Sequence, residues 1–133
     1  MKILELRIMM PLTEKQMRVA LLYGVMKLSQ EETRPGEGVE VLVNKTEEHE
    51  KHGKGQRTEK KYHLGPRLPA FVRAFAPKSA LVLDEHAWNV FPWCRTQISN
   101  PYMGDDLTYV IESKHVENDD GTQENIFELD DAQ

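Results

Sequence analysis

Residues 2–10 alternate, with Leu4, Leu6, Ile8 and Met10 on one side and Glu5 and Arg7 on the other. A period of two predicts a half-buried strand, stopped by Pro11. The period then changes. Thr13 with Gln16 matches a capping box, and Met17, Ala20, Leu21, Gly24, Val25 and Leu28 follow at helical spacing. This predicts a helix from Thr13 to near Thr33, ended before Pro35-Gly36, with its apolar stripe in the core. Val39, Val41 and Val43 alternate with Glu40, Leu42 and Asn44 as a second strand. Lys45 to Lys54 is charged and reads as a solvated hairpin loop closed by Gly53 and Gly55.

Residues 56–64 return as a strand, with Thr58, Lys60, Tyr62 and Leu64 on one face and Arg57, Glu59, Lys61 and His63 on the other. Pro66, Pro69 and Pro77 bracket an apolar segment that carries Phe71, Val72 and Phe75 and, as charges, only Arg67, Arg73 and Lys78. Such a segment either buries against the domain or touches an anionic membrane surface. Leu81 to Leu83 predict a short strand, with Asp84 capping a turn through Trp88. Residues 90–99 read as extended, with Cys94, Thr96 and Ile98 opposite Trp93, Arg95 and Gln97. The last clear strand, 107–116, puts Tyr109, Ile111 and Ser113 on one face. The fold class is therefore α+β: one curved antiparallel sheet and an N-terminal helix, in a single domain over 1–133.

Composition narrows the function. The 133 residues carry 17 Lys+Arg against 22 Asp+Glu, a net charge of −5. A broad nucleic-acid surface needs a basic excess, so nucleic acid is not an expected partner. One cysteine allows no internal disulfide, which fits a reducing compartment. No apolar run approaches the roughly 20 residues of a membrane span, and the charged N-terminus does not read as an export signal. The expectation is a cytoplasmic protein.

Few residues promise covalent chemistry. His49 and His52 sit three apart among glutamates, but in a glycine-bounded loop with no third ligand cluster. The Asp pairs 105–106, 119–120 and 130–131 lie in turns rather than a cleft. No nucleophile elbow or phosphate loop occurs, and Cys94 has no histidine near it in sequence. No enzyme activity, metal or cofactor is expected. More informative is the mixture of Thr58, Lys60, Tyr62 and Leu64 on one strand face, Cys94, Thr96 and Ile98 on another, and Ile111 with Ser113 on a third. If those faces line one hollow, its wall is apolar with scattered hydroxyls and one ammonium, which suits an amphiphile. The alternative is that the lysine strand simply faces water.

Several segments together closely resemble the N-terminal half of phosphatidylinositol transfer proteins. They are Gly36–Asn44, Gly55–Lys60, Tyr62-His63-Leu64, Pro69–Arg73, Ala87-Trp88-Asn89, Cys94-Arg95-Thr96 and Gly121–Asn125, in that order. The resemblance implies a helix-grip fold of the steroidogenic-acute-regulatory-related type, a curved sheet around a lipid-filled cavity. It implies phosphatidylinositol and phosphatidylcholine as ligands, exchanged between membranes without covalent chemistry, with transient contact at a membrane surface. By this resemblance the inositol ring meets Thr58, Lys60, Glu85 and Asn89, and the phosphate meets Thr96 and Ser113, where serine replaces the usual threonine. Cys94 lies beside the headgroup as an accessible thiol. Phe71, Val72 and Phe75 fall in a mobile lipid-exchange element, which shifts the reading of that segment toward membrane contact.

Two departures bear on the expectation. Leu21 stands where the family has a phosphate-binding glutamine, and the chain stops about halfway through the family's usual length. The second half normally supplies further strands, a phosphate-binding lysine, a membrane-docking tryptophan pair and a long closing helix. A phospholipid has about 32 chain carbons, each worth about 0.8 kcal/mol when buried, so carrying it unshielded costs on the order of 25 kcal/mol. Headgroup contacts of roughly 1.5–3 kcal/mol do not offset that. The expectation is thus a lipid carrier whose wall a second copy completes, or a truncated, non-transferring module that binds a protein, a membrane surface or a headgroup.

Overall fold

A computed structural model describes residues 2–32, 38–65 and 68–130, apart from the side chains at 29, 32 and 72. The expected helix end near Thr33, the Pro35-Gly36 break, Pro66, Arg67 and the Val72 side chain lie outside the described residues. The elements are α1 (Glu14–Glu32), β1 (Gly38–His49), β2 (Gly53–His63), α2 (Ala70–Phe75), β3 (Val82–Val90), β4 (Trp93–Asn100) and β5 (Gly104–Lys114). A 3₁₀ turn, Lys78–Leu81, leads into β3. The strands form one antiparallel sheet in chain order, β1-β2-β3-β4-β5. Bulges between Val41 and Val43 and between Ser99 and Asn100 bend it.

Local chemistry explains most boundaries. The Thr13 hydroxyl accepts from the Gln16 amide at 3.3 Å, and the Gln16 side chain accepts from the Thr13 amide at 2.9 Å, the reciprocal cap expected from sequence. Asn100, only 3% exposed, ends β4. Its side-chain amide donates to the carbonyls of Ala80 and Val82, and its oxygen accepts from the amides of Tyr102 and Met103. One side chain thus ties the turn before β3 to the turn before β5.

Several expectations are corrected. Residues 2–10 join no ladder. Arg7 instead donates to the carbonyls of Gly121 and Thr122 at 3.1 Å each, and Glu5 accepts from the Asn125 amide at 3.3 Å. Alternation supplies two faces, but a strand also needs an edge to pair with, and side-chain bonds hold this segment instead. The supposed loop 45–54 is mostly strand, because β1 runs to His49 and only residues 50–52 turn. The bulge also moves Asn44 onto the face of Val41. Asp84 starts no turn, since β3 continues through Trp88 to Val90. Asp105 and Asp106 lie in β5 rather than in a turn.

The apolar stripe of α1 is not core: Val25 is 51% and Leu28 60% exposed. Among the described residues only Val90 and Trp93 are buried hydrophobics. The chain exposes 10,315 Å², whereas a compact monomer of 15.4 kDa exposes about 7,200 Å². The difference, about 3,000 Å², includes exposed apolar side chains of residues 3–12, of α1 and of the sheet that nothing among the described residues covers.

Candidate functional site

Directly opposed residues in antiparallel strands project to the same side of the sheet. The register therefore sorts the side chains. One row runs Gln56, Asn89, Cys94, Ser113; the next Thr58, Ala87, Thr96, Ile111; the third Lys60, Glu85, Ile98, Tyr109. All seven residues expected at the headgroup, Thr58, Lys60, Glu85, Asn89, Cys94, Thr96 and Ser113, share this face. Strands lie about 4.8 Å apart and same-face rows about 6.7 Å apart, so the patch measures about 14 by 13 Å. That is the scale of a phosphorylated headgroup. Glu85 is buried and the other six are half-buried.

Within the patch the charges are internally matched. Lys60 Nζ lies 3.0 Å from Glu85 Oε1, and the Tyr62 hydroxyl donates to Glu85 Oε2 at 2.6 Å. The Cys94 thiol donates to Asn89 Oδ1 at 3.5 Å. Burial pushes that thiol above its ordinary pKa, and a hydrogen bond with Ser113 partly opposes the shift. The raised pKa favours the protonated thiol at neutral pH. Sequence reasoning missed the extension of this face onto β1. The Gln56 side chain donates to Asn44 at 2.5 Å and accepts from the Thr46 hydroxyl at 3.0 Å. The β1 bulge brings Asn44 and Thr46 there, and alternation alone carries no signal of it.

The opposite face is ionic. Glu47 pairs with Lys45 and Arg57, Arg57 also with Glu59, and Glu59 with His86. Lys61 and Asp84 pair at 3.0 Å, and His63 and Glu40 at 3.2 Å. His49 is half-buried and His52 exposed, and both lie against tryptophan rings. His52 stacks on Trp93 with ring centres 3.9 Å apart, and His49 meets Trp88 edge-on at 5.0 Å. The described residues contain no cluster of three metal-ligating side chains. A cleft of about 110 Å³ opens between Leu42, Lys60, Lys61, Asp84, Glu85 and His86, room for a few waters and not for acyl chains.

On α2, Phe71 is 69% and Phe75 90% exposed, so the burial reading of this segment does not hold. The described residues include no helix long and apolar enough to cross a membrane.

The whole chain, residues 1–133, matches the family described as phosphatidylinositol transfer protein. It is 49% identical over 129 residues to phosphatidylinositol transfer protein 1 of Dictyostelium discoideum, covering 97% of this chain and 48% of that one. It is 48% identical over 127 residues to the human phosphatidylinositol transfer protein beta isoform, covering 95% of this chain and 46% of the relative. The Drosophila melanogaster protein retinal degeneration B is 40% identical over 130 residues, only 10% of its own length. The chain thus spans about half the length of the first two relatives. Matched along its full length, and carrying the expected residues on one face of one sheet, this chain belongs to the phosphatidylinositol transfer protein family.

Proposed function

We propose that the hydroxyl-bearing face binds a phospholipid headgroup and that the chain takes part in moving phosphatidylinositol and phosphatidylcholine between membranes. The inositol ring meets Thr58, Lys60, Glu85 and Asn89, and the phosphate meets Thr96 and Ser113. One observation carries the reading: the strand register gathers these residues, from four strands, on the face that the ion-pair network does not occupy. Phe71 and Phe75 provide the transient contact with the bilayer, their rings entering the interface beside cationic Arg73. The protein is cytoplasmic and peripheral in this reading.

Acyl chains need enclosure, and the described sheet leaves both edges open. The family name of the relatives, and the uncovered 3,000 Å² or so, support a wall completed by further polypeptide. In this reading a second copy, paired along an exposed edge strand, completes the wall. The competing reading, a module that binds a headgroup, a membrane surface or a protein without transferring lipid, is favoured by the open face. Native mass spectrometry after incubation with mixed phosphatidylinositol and phosphatidylcholine vesicles tests both. A dimer carrying phospholipid is expected. A strict monomer with stoichiometric lipid removes the need for a partner copy, and no retained lipid in any species removes the carrier reading.

A further inference from the structure

Tyr62 stands one same-face position beyond Lys60 on β2 and opposite Leu83, so its ring reaches diagonally to Glu85. The two oxygens of Glu85 are held by different groups, Oε1 by the Lys60 ammonium at 3.0 Å and Oε2 by the Tyr62 hydroxyl at 2.6 Å. The last torsion of a glutamate side chain is soft, so a carboxylate held at one oxygen is free to rotate. Held at both, its plane is fixed. An ammonium has three donors and each carboxylate oxygen accepts more than one bond, so both groups retain capacity toward the open face. Together they form a fixed donor–acceptor couple matched to adjacent hydroxyls of a polyol. A trimethylammonium headgroup, with no N–H or O–H, gains nothing from that couple by hydrogen bonding.

We propose that Tyr62 is a positioning residue that sets preference for polyol over choline headgroups by fixing the Glu85 carboxylate beside Lys60. This rests on the headgroup reading above. The test incubates the chain with vesicles of equal phosphatidylinositol and phosphatidylcholine and measures the retained ratio of the two lipids. Tyr62→Phe keeps the ring and removes only the hydroxyl. It is expected to lower the inositol-to-choline ratio about fivefold, the worth of about 1 kcal/mol, with choline-lipid retention unchanged and the protein still folded at the assay temperature by thermal melting. Glu85→Gln, which keeps an acceptor for Tyr62 but breaks the ion pair, is expected to lower the ratio as well. Lys60→Ala is the reference for the underlying reading. If Lys60→Ala lowers the ratio and Tyr62→Phe does not, the positioning role is overturned while the headgroup reading stands. If Tyr62→Phe lowers both lipids equally, its role is structural and the proposal is overturned. If Lys60→Ala leaves the ratio unchanged, or the unaltered chain retains no lipid, the headgroup reading fails and takes this inference with it.

Discussion

Gly55→Ala and Gly24→Ala are the same substitution, and the structure predicts opposite signs for them. Gly55 lies in β2 opposite Glu47. A methyl group there sits 2.5 Å from Val90 Cγ2, 2.6 Å from the Asn89 carbonyl oxygen and 3.0 Å from Val90 Cα. Carbon contacts settle at about 3.5–4.0 Å, so β3 must retreat by about 1 Å. Val90, at 5% exposed, is one of the two buried hydrophobics among the described residues, and little else absorbs the shift. Overpacking of this kind costs about 1–3 kcal/mol. Gly24 lies inside α1 with nothing within 4 Å of an added methyl group. Alanine there gains about 0.5–1 kcal/mol from helix propensity and reduced unfolded-state entropy. Urea titrations read both variants, and each kcal/mol moves the thermal midpoint by about 4 °C. Because β3 carries Asn89, Gly55→Ala is also expected to reduce lipid retention more than its stability loss explains. A Gly55→Ala protein as stable as the parent, or the same sign for both variants, refutes the close approach of β2 and β3.

Two further outcomes follow from half-buried titratable groups. Burial holds the Cys94 thiol above its usual pKa, so iodoacetamide should modify it more slowly at neutral pH than an unstructured cysteine peptide. Ser113→Ala, which removes the opposing hydrogen bond, should slow it further, and a folded-state rate matching the peptide's contradicts the assignment. Burial also lowers the pKa of His115, with Glu14 pulling the other way. Its ring stacks on Phe91, and its buried Nε2 has no partner among the described residues. The folded chain then binds fewer protons than the unfolded one. Stability is whole above the unfolded histidine pKa of about 6.5 and declines as pH falls toward the lower folded value. His115→Gln should flatten that part of the acid limb in pH-dependent melts; an unchanged slope assigns the loss to other groups.

The sequence was most legible where one residue decides the local geometry. The Thr13–Gln16 cap, the period-two faces of β2, β4 and β5, and the α+β class follow from spacing and hydrogen-bonding capacity alone. Charge misled where it serves as cross-strand pairing. Glu47 and Asp84 read as loop and turn residues, yet Glu47 pairs with Arg57 and Asp84 with Lys61. Those partnerships depend on register, which composition does not carry. Alternation also hides a bulge, so it puts Asn44 on the wrong face. The stripe on α1 is a correct helical period with an incorrect inference of burial, since amphipathicity states which side seeks cover and not whether cover is present. The headgroup residues came into view through resemblance to a family rather than through local pattern, because four strands must be aligned before Thr58, Asn89, Thr96 and Ser113 become neighbours.

The division between the two faces separates folding from binding, and Thr58 and Thr96 test that separation. On the ionic face, side chains are consumed by one another. On the other face, the hydroxyls of Thr58 and Thr96 have no hydrogen-bond partner among the described residues, although both side chains are half-buried. A hydroxyl that contributes no intramolecular bond adds little to stability, and valine keeps the β-branched shape that strands favour. Thr58→Val and Thr96→Val should therefore leave the urea midpoint unchanged or slightly raised. If Thr96 donates to a lipid phosphate, the lost charge-assisted bond is worth roughly 1.5–3 kcal/mol, a reduction in phospholipid retention of about 10- to 100-fold for both lipid classes. Thr58→Val, at the ring, should lower inositol-lipid retention alone. A stability loss above about 1 kcal/mol in either variant means that the hydroxyl has a structural partner within the folded chain. Unchanged retention in both means that this face meets water rather than a headgroup, and that the preserved residues hold no lipid.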